Sequence, residues 1–299
     1  MTRFRKVFLR DSLNRSTHLA GFGKHPAWDD HIDDLGLTTE TLVIVRRILY
    51  SEGIASQVSS GAWSRLEGNG QALVFDHRFV WSREAQSVVG GIWASSDGKG
   101  RAHFPMIVCL QIGMNGRHAI RSFLTSLEDL GGLCKKAKGQ QEFRDAFTKA
   151  EHKLASNTRP DSESGFQFFN LTEEREQEIM NGMIALSEGL GKHRRVGARR
   201  GAGSAHIRLP AISSRPKESL EFWIGYVETQ LDFHLPCLAI ASTSPGPIDV
   251  IAGEPEADDF FCLRAAETRL PLTSTGDERP ADVRLQAKVY LRSYGLESF

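Results

Sequence analysis

Ser87-Val88-Val89-Gly90-Gly91-Ile92-Trp93-Ala94-Ser95-Ser96-Asp97-Gly98-Lys99-Gly100-Arg101-Ala102-His103-Phe104-Pro105-Met106-Ile107-Val108-Cys109-Leu110-Gln111-Ile112 decides the fold class. Two runs rich in β-branched and aromatic residues, Ser87–Ala94 and Phe104–Ile112, read as strands. Between them Asp97-Gly98 is a strong hairpin signal. Gly100 tolerates positive φ, and Arg101 is placed to pair with Asp97 across the turn. Phe104-Pro105 opens the second strand, where proline at the first position loses no ladder bond. A hairpin implies antiparallel pairing.

Working outward, Gln71–Trp81 and Thr17–Lys24 read as further strands, the latter ending at Gly21 and Gly23. Thr38 or Thr39 caps a helix over Thr39–Gln57, with Glu40 in its first turn and Gly53 weakening it. Beyond the hairpin, helical spacing recurs over Asn115–Leu130 and Gln140–Ala155. It recurs again over Leu171–Leu190, whose early glutamates suit the helix dipole. Lys217–Leu231 continues the series. Cys237–Ser242 and Ile248–Gly253 read as strands joined by Ser244-Pro245-Gly246-Pro247, and Phe260–Ala265 as another short strand. Val283–Tyr294 reads as a last helix or strand. The mixture is α/β or α+β.

Composition marks one discontinuity. Gly189–Lys217 holds eight Lys or Arg residues, no Asp or Glu, and three glycines after Val196. It reads as a basic loop or linker. The expected organisation is a flexible N-terminal segment (1–15), a main α/β domain (16–188), this linker (189–217) and a C-terminal portion (218–299) completing the same domain. Across all 299 residues, 37 Lys plus Arg balance 37 Asp plus Glu. That balance argues against a general nucleic-acid binder, which needs clustered cations along phosphates. The apolar runs are strand-sized, too short for a signal-peptide core or a spanning helix. Cys109, Cys134, Cys237 and Cys262 fit no metal or redox spacing and read as buried free thiols. A cytoplasmic protein without membrane insertion is expected.

Catalytic signatures fail letter by letter. Gly191-Lys192-His193 lacks the hydroxyl and the earlier glycine of a phosphate-binding loop, and Gly201–His206 is not a dinucleotide fingerprint. One cluster remains: His25, Asp29, Asp30, His31, Asp33 and Asp34 lie within ten residues. Imidazoles and carboxylates at this density suit a divalent metal, with His25, Asp29, Asp30 and His31 as candidate ligands for a metal-dependent hydrolase. The plainer reading is a solvated acidic loop that caps the next helix. Trp28 is either a partner anchor or a plug into the core. Lys192, Arg194, Arg195, Arg199 and Arg200 read as a solvated loop, or as a dock for an acidic partner. Nucleic acid is disfavoured because no aromatic interleaves with the cations. No catalytic residue and no cofactor is assigned.

Two motifs together resemble the TagF family of type VI secretion-associated accessory proteins. Gly21-Phe22-Gly23-Lys24-His25-Pro26-Ala27-Trp28-Asp29-Asp30 is similar to the family's opening G-x-x-GK-x-P-x-x-GDF, although the final Gly-Asp order is not kept. Val89–Pro105 is similar to its G-x-W-x-x-S-x-D-x-x-GR-x-FP segment, retaining Trp93, Asp97, Gly100, Arg101, Phe104 and Pro105. Leu220-Glu221-Phe222-Trp223 and the strand pair after it match more loosely, and the basic stretch has no counterpart. A divergent member is implied. The resemblance implies a three-layer α/β sandwich, an antiparallel-rich mixed sheet flanked by helices. It further implies a non-enzymatic cytoplasmic regulator that represses type VI secretion after translation. Such a protein acts by binding a forkhead-associated scaffold or another component, with Gly23, Lys24, Pro26, Trp28, Asp29 and Asp30 and the second motif as family or partner-binding positions.

Overall fold

The computed structural model describes residues 16–64, 74–83, 85–156, 172–196, 203–230, 236–265, 270, 272–273 and 281–294. Among the described residues seven strands form one sheet: β1 (Thr17–Gly23), β2 (Asp76–Arg83), β3 (Gln86–Trp93), β4 (Met106–Ile112), β5 (Ala205–Leu209), β6 (Cys237–Ser242) and β7 (Ile248–Ala252). Their order is β1-β4-β3-β2-β6-β7-β5, and every pairing is antiparallel. The hairpin read from the sequence is β3–β4, with Trp93 opposite Met106 and Ser87 opposite Ile112. β2 joins the C-terminal strands through Phe79 opposite Ile240.

Alternation along the strands feeds two cores. Val80, Val89, Trp93, Val108 and Leu110 face one side. Phe79, Trp81, Val88, Ile92, Ile107 and Cys109 face the other. Because both faces are covered, the strands read as apolar runs rather than as alternating polar and apolar residues. The first side is covered by α2 (Gly116–Lys136), α3 (Gln140–Ser156), α4 (Glu173–Val196), α5 (Pro216–Gln230) and α6 (Ala281–Ser293). The second is covered by α1 (Glu40–Ser59) and by a 3-10 helix, Ala257–Leu263. The architecture is the expected three-layer α/β sandwich.

Helix α1 is composite: α-helical over Glu40–Val45, π-helical over Arg46–Ala55 and α-helical again over Ser56–Ser59. The Thr39 hydroxyl accepts from the Leu42 N–H, as the capping signal implies. Helix α2 starts at Asn115, whose side chain accepts from His118 N–H. Glu228 of α5 accepts from Gly116 N–H at 2.7 Å and Ser82 Oγ at 2.8 Å, tying that helix start to β2.

Three sequence expectations change. The stretch 189–217 is not a loop throughout: its start is the last turns of α4, and it also contains β5. Arg208 is buried on β5 and bonded to Asp249, because the sheet edge folds under the 3-10 helix. Phe260–Ala265 is mostly 3-10 helix rather than strand, fixed by a capping box between Glu256 and Asp259. Residues 1–15, 71–73 of the expected second strand, Arg199, Arg200 and the stretch 274–280 lie outside the described residues.

Candidate functional site

The two sequence motifs meet at the end of the β1–β4–β3 ladder. Gly23 ends β1 at φ +100°, and a Cβ there would lie 2.2 Å from the Pro105 carbonyl oxygen. Glycine is therefore required for the Lys24 N–H to reach Pro105 O at 3.0 Å. This turn sends the Lys24 side chain inward. Its Nζ lies 2.7 Å from Asp97 Oδ2, 3.4 Å from Asp30 Oδ1 and 4.7 Å from the centre of the Phe104 ring. Lys24 and Asp97 are both buried.

Asp97 organises the β3–β4 loop. Its Oδ1 accepts from the Lys99 and Arg101 N–H groups, each at 3.0 Å, and Arg101 Nε donates to Oδ2 at 2.6 Å. The expected Asp97–Arg101 pair is present. The turn is nevertheless wider than a two-residue Asp-Gly turn: Gly100 carries the positive φ, and Gly98 does not. Arg101 also reaches back to Asp30 Oδ1 at 2.9 Å and the Asp29 carbonyl at 3.2 Å. Burial pushes the Asp97 carboxyl up. The hydrogen bonds from Lys24 and Arg101 outweigh it and hold the group well below the usual carboxylate range. Asp30 is likewise lowered, first by its hydrogen bond with His31.

Trp28 is a plug and not an exposed anchor. It is buried, edge-on to Phe143 at 5.1 Å and to His25 at 5.6 Å. His25 is buried beside it, accepting from Ala27 N–H at Nδ1 (3.1 Å) and donating from Nε2 to the Cys134 carbonyl (2.9 Å). Burial lowers its pKa, with the Cys134 bond opposing. Trp93 lies under the Arg78 guanidinium at 4.9 Å.

This arrangement dismantles the proposed metal cluster. Both nitrogens of His25 are engaged in the core. Asp30 is paired with Lys24, Arg101 and His31; Asp33 is paired with Arg144 at 2.6 Å and Asp34 with Arg46 at 3.2 Å. Asp29 is exposed. Asp30, Asp33 and Asp34 are each paired with a cation, and among the described residues His25–Asp34 brings no three ligand atoms together. Of the basic candidates, Lys192, Arg194 and Arg195 fall in the last turns of α4.

Pro26, Asp29, Asp30, Asp33, Asp34, Lys99 and Arg101 remain exposed around the buried Lys24–Asp97 pair. The arrangement is a fixed polar rim on a locked pair of loops, suited to binding a surface.

A second polar cluster escaped the sequence reading. His206 Nε2 lies 2.8 Å from Asp249 Oδ1, and Arg208 Nη2 lies 3.2 Å from Asp249 Oδ2. Cys262 is beside them. These residues are far apart in the chain, and the only local signal was His206 with Arg208 at strand spacing. No family profile matches the chain, and no curated protein matches it. The chain is similar to PA0076 from Pseudomonas aeruginosa PAO1 at 17% identity, over 53% of this chain and 74% of that one. The TM-score is 0.31, a likeness too slight to carry an argument.

Proposed function

We propose that this protein is a non-enzymatic accessory protein of bacterial type VI secretion, a post-translational repressor that binds a forkhead-associated scaffold in the cytoplasm. One observation carries the reading. The two segments that resemble the TagF family, separated by some seventy positions, converge on one buried ion pair, Lys24–Asp97 at 2.7 Å. Geometry of this kind needs no reaction. The buried pair immobilises two loops, and the loops present the exposed rim of Pro26, Asp29, Lys99 and Arg101. A preorganised rim loses little entropy on binding, which favours recognition of a protein surface. In line with this, among the described residues no helix is long and apolar enough to cross a membrane.

The test is binding of the purified protein to the forkhead-associated scaffold of the same cell, read by calorimetry, alongside secretion measured in a strain overproducing it. Wild type binds and secretion falls. Asp29→Arg combined with Lys99→Glu reverses two exposed rim charges away from the buried pair and weakens binding tenfold or more. Absence of wild-type binding, together with unchanged secretion, would overturn the proposal.

A further inference from the structure

We propose that His206, Asp249 and Cys262 form a binding site for a zinc-class divalent metal ion at the β5–β7 edge of the sheet. The topology assembles it from three segments. His206 and Arg208 alternate with Ile207 on β5 and so share a face. Asp249 of β7 pairs with Arg208, diagonal to His206, and projects on that same face. The 3-10 helix crosses this face and brings Cys262 and Asp259 down onto it. One His206 nitrogen, one Asp249 oxygen and the Cys262 sulfur all lie within 4.8 Å of one another.

The donor set selects the ion. One sulfur, one imidazole nitrogen and one carboxylate oxygen suit zinc or cobalt; magnesium and calcium require oxygen shells. A tetrahedral zinc centre places such donors about 3.3–3.5 Å apart. A closure of Cys262 toward the pair, together with an opening of the 2.8 Å His206–Asp249 hydrogen bond to about 3.3 Å as the imidazole proton moves to Nδ1, meets that requirement. The charges also match, since a thiolate and a carboxylate neutralise a dication and leave His206 neutral.

The surroundings resemble those that hold metal ligands in place. Asp249 divides its oxygens, Oδ1 toward His206 and Oδ2 to Arg208, so the guanidinium fixes the carboxylate plane. Asp259 Oδ1 stands 3.8 Å from Nδ1, at the other nitrogen of the His206 ring. It stands on the side from which a carboxylate orients a ligating histidine, a role it takes up once it closes to hydrogen-bond distance. Asp259 is itself held by the Glu256 N–H at 2.8 Å and Ser204 Oγ at 2.5 Å. Arg208 Nη1 donates to the Leu270 carbonyl at 2.8 Å, which holds the guanidinium beside Asp249. These polar groups lie beside an apolar core containing Ile240, Ile251, Phe260 and Leu263. Burial there is costly unless the groups are mutually satisfied or hold an ion. Access is open at His206, whose side chain is 22% exposed. Burial keeps the Cys262 thiol protonated in the free protein. Metal binding therefore forms the metal–sulfur bond and releases one proton to solvent.

Cobalt(II) titration of the full-length, reduced protein tests the site. One equivalent produces a thiolate-to-cobalt charge-transfer band, which zinc displaces. Cys262→Ser abolishes the band, His206→Ala weakens binding at least a hundredfold, and Asp259→Asn weakens it about 10–100-fold. Cys237→Ser, a buried thiol elsewhere, leaves the band intact. X-ray absorption of the zinc-loaded wild type supplies a readout independent of variant folding, with one sulfur at about 2.3 Å and a nitrogen/oxygen shell at about 2.0 Å. No band at one equivalent, a band surviving Cys262→Ser, or a shell without sulfur overturns the proposal. The outcome is independent of scaffold binding, because the site lies across the sheet order from the β1–β4–β3 loops.

Discussion

His77 on β2 shows how far a residue's chemistry depends on its neighbours. In sequence it is one of ten histidines. In the fold it is fully enclosed between Ile92 of β3 and Ser242 of β6. Burial drives its pKa down to about 4, with Asp249 and Asp76 opposing. The unfolded chain takes up this proton near pH 6.5, whereas the folded chain resists it until about pH 4. The stabilisation is therefore full above pH 6.5 and is lost as pH falls from 6.5 to 4. Denaturant melts should show about 3 kcal/mol lost across that window, and His77→Gln should remove most of the slope. Buried His25 adds a smaller effect of the same sign. A slope unchanged in His77→Gln would count against this account. Lys24 and Trp28 make the same point from the site. The sequence left Trp28 as either a partner anchor or a plug and said nothing of the burial of Lys24; Gly23 turns Lys24 into the core and Phe143 receives Trp28. The Asp97–Arg101 pair was legible because both partners lie within one turn.

Among elements, α1 is where intrinsic propensity and packing disagree. Glycine inside a helix costs about 1 kcal/mol relative to alanine, so Gly53 reads as a weakness. In the fold, a Cβ at Gly53 would lie 2.4 Å from the Phe260 ring. The missing side chain is what admits the 3-10 helix against the π-helical segment. Gly53→Ala should therefore destabilise the protein by about 1–3 kcal/mol, by overpacking. The double variant with Phe260→Leu should recover part of the loss. A stabilised Gly53→Ala, measured by chemical denaturation, would show that propensity dominates. Most of the other helices and strands were visible in the sequence to within a few residues, since periodicity and capping are local signals, but β5 was hidden inside the basic stretch 189–217. The 3-10 helix was misread as strand because Phe260-Phe261-Cys262-Leu263 is an unbroken apolar run, which periodicity cannot assign.

At the scale of the whole molecule, the β2–β6 ladder joins sequence positions near 80 and 240 in one sheet, and both cores draw on both halves. Residues 1–196 and 203–299 expressed separately should each lack a cooperative thermal transition, because each leaves a long buried strand edge unpaired. Mixed together, they should regain near-ultraviolet dichroism; two independently folded fragments would contradict this. The global charge balance argues against a phosphate-backbone binder, but does not show that its members are matched locally, as at Arg101 with Asp97 and Asp30. By itself the sequence determined most of the helices and strands, the hairpin and the two motifs, all set by contacts within about thirty residues, but not β5 or the 3-10 helix. Only the tertiary structure decided that those motifs share one ion pair, that Trp28 is internal, and that His206, Asp249 and Cys262 meet. Strand order and helix placement bring distant residues together, and no local pattern of spacing or periodicity encodes which distant faces pack against each other.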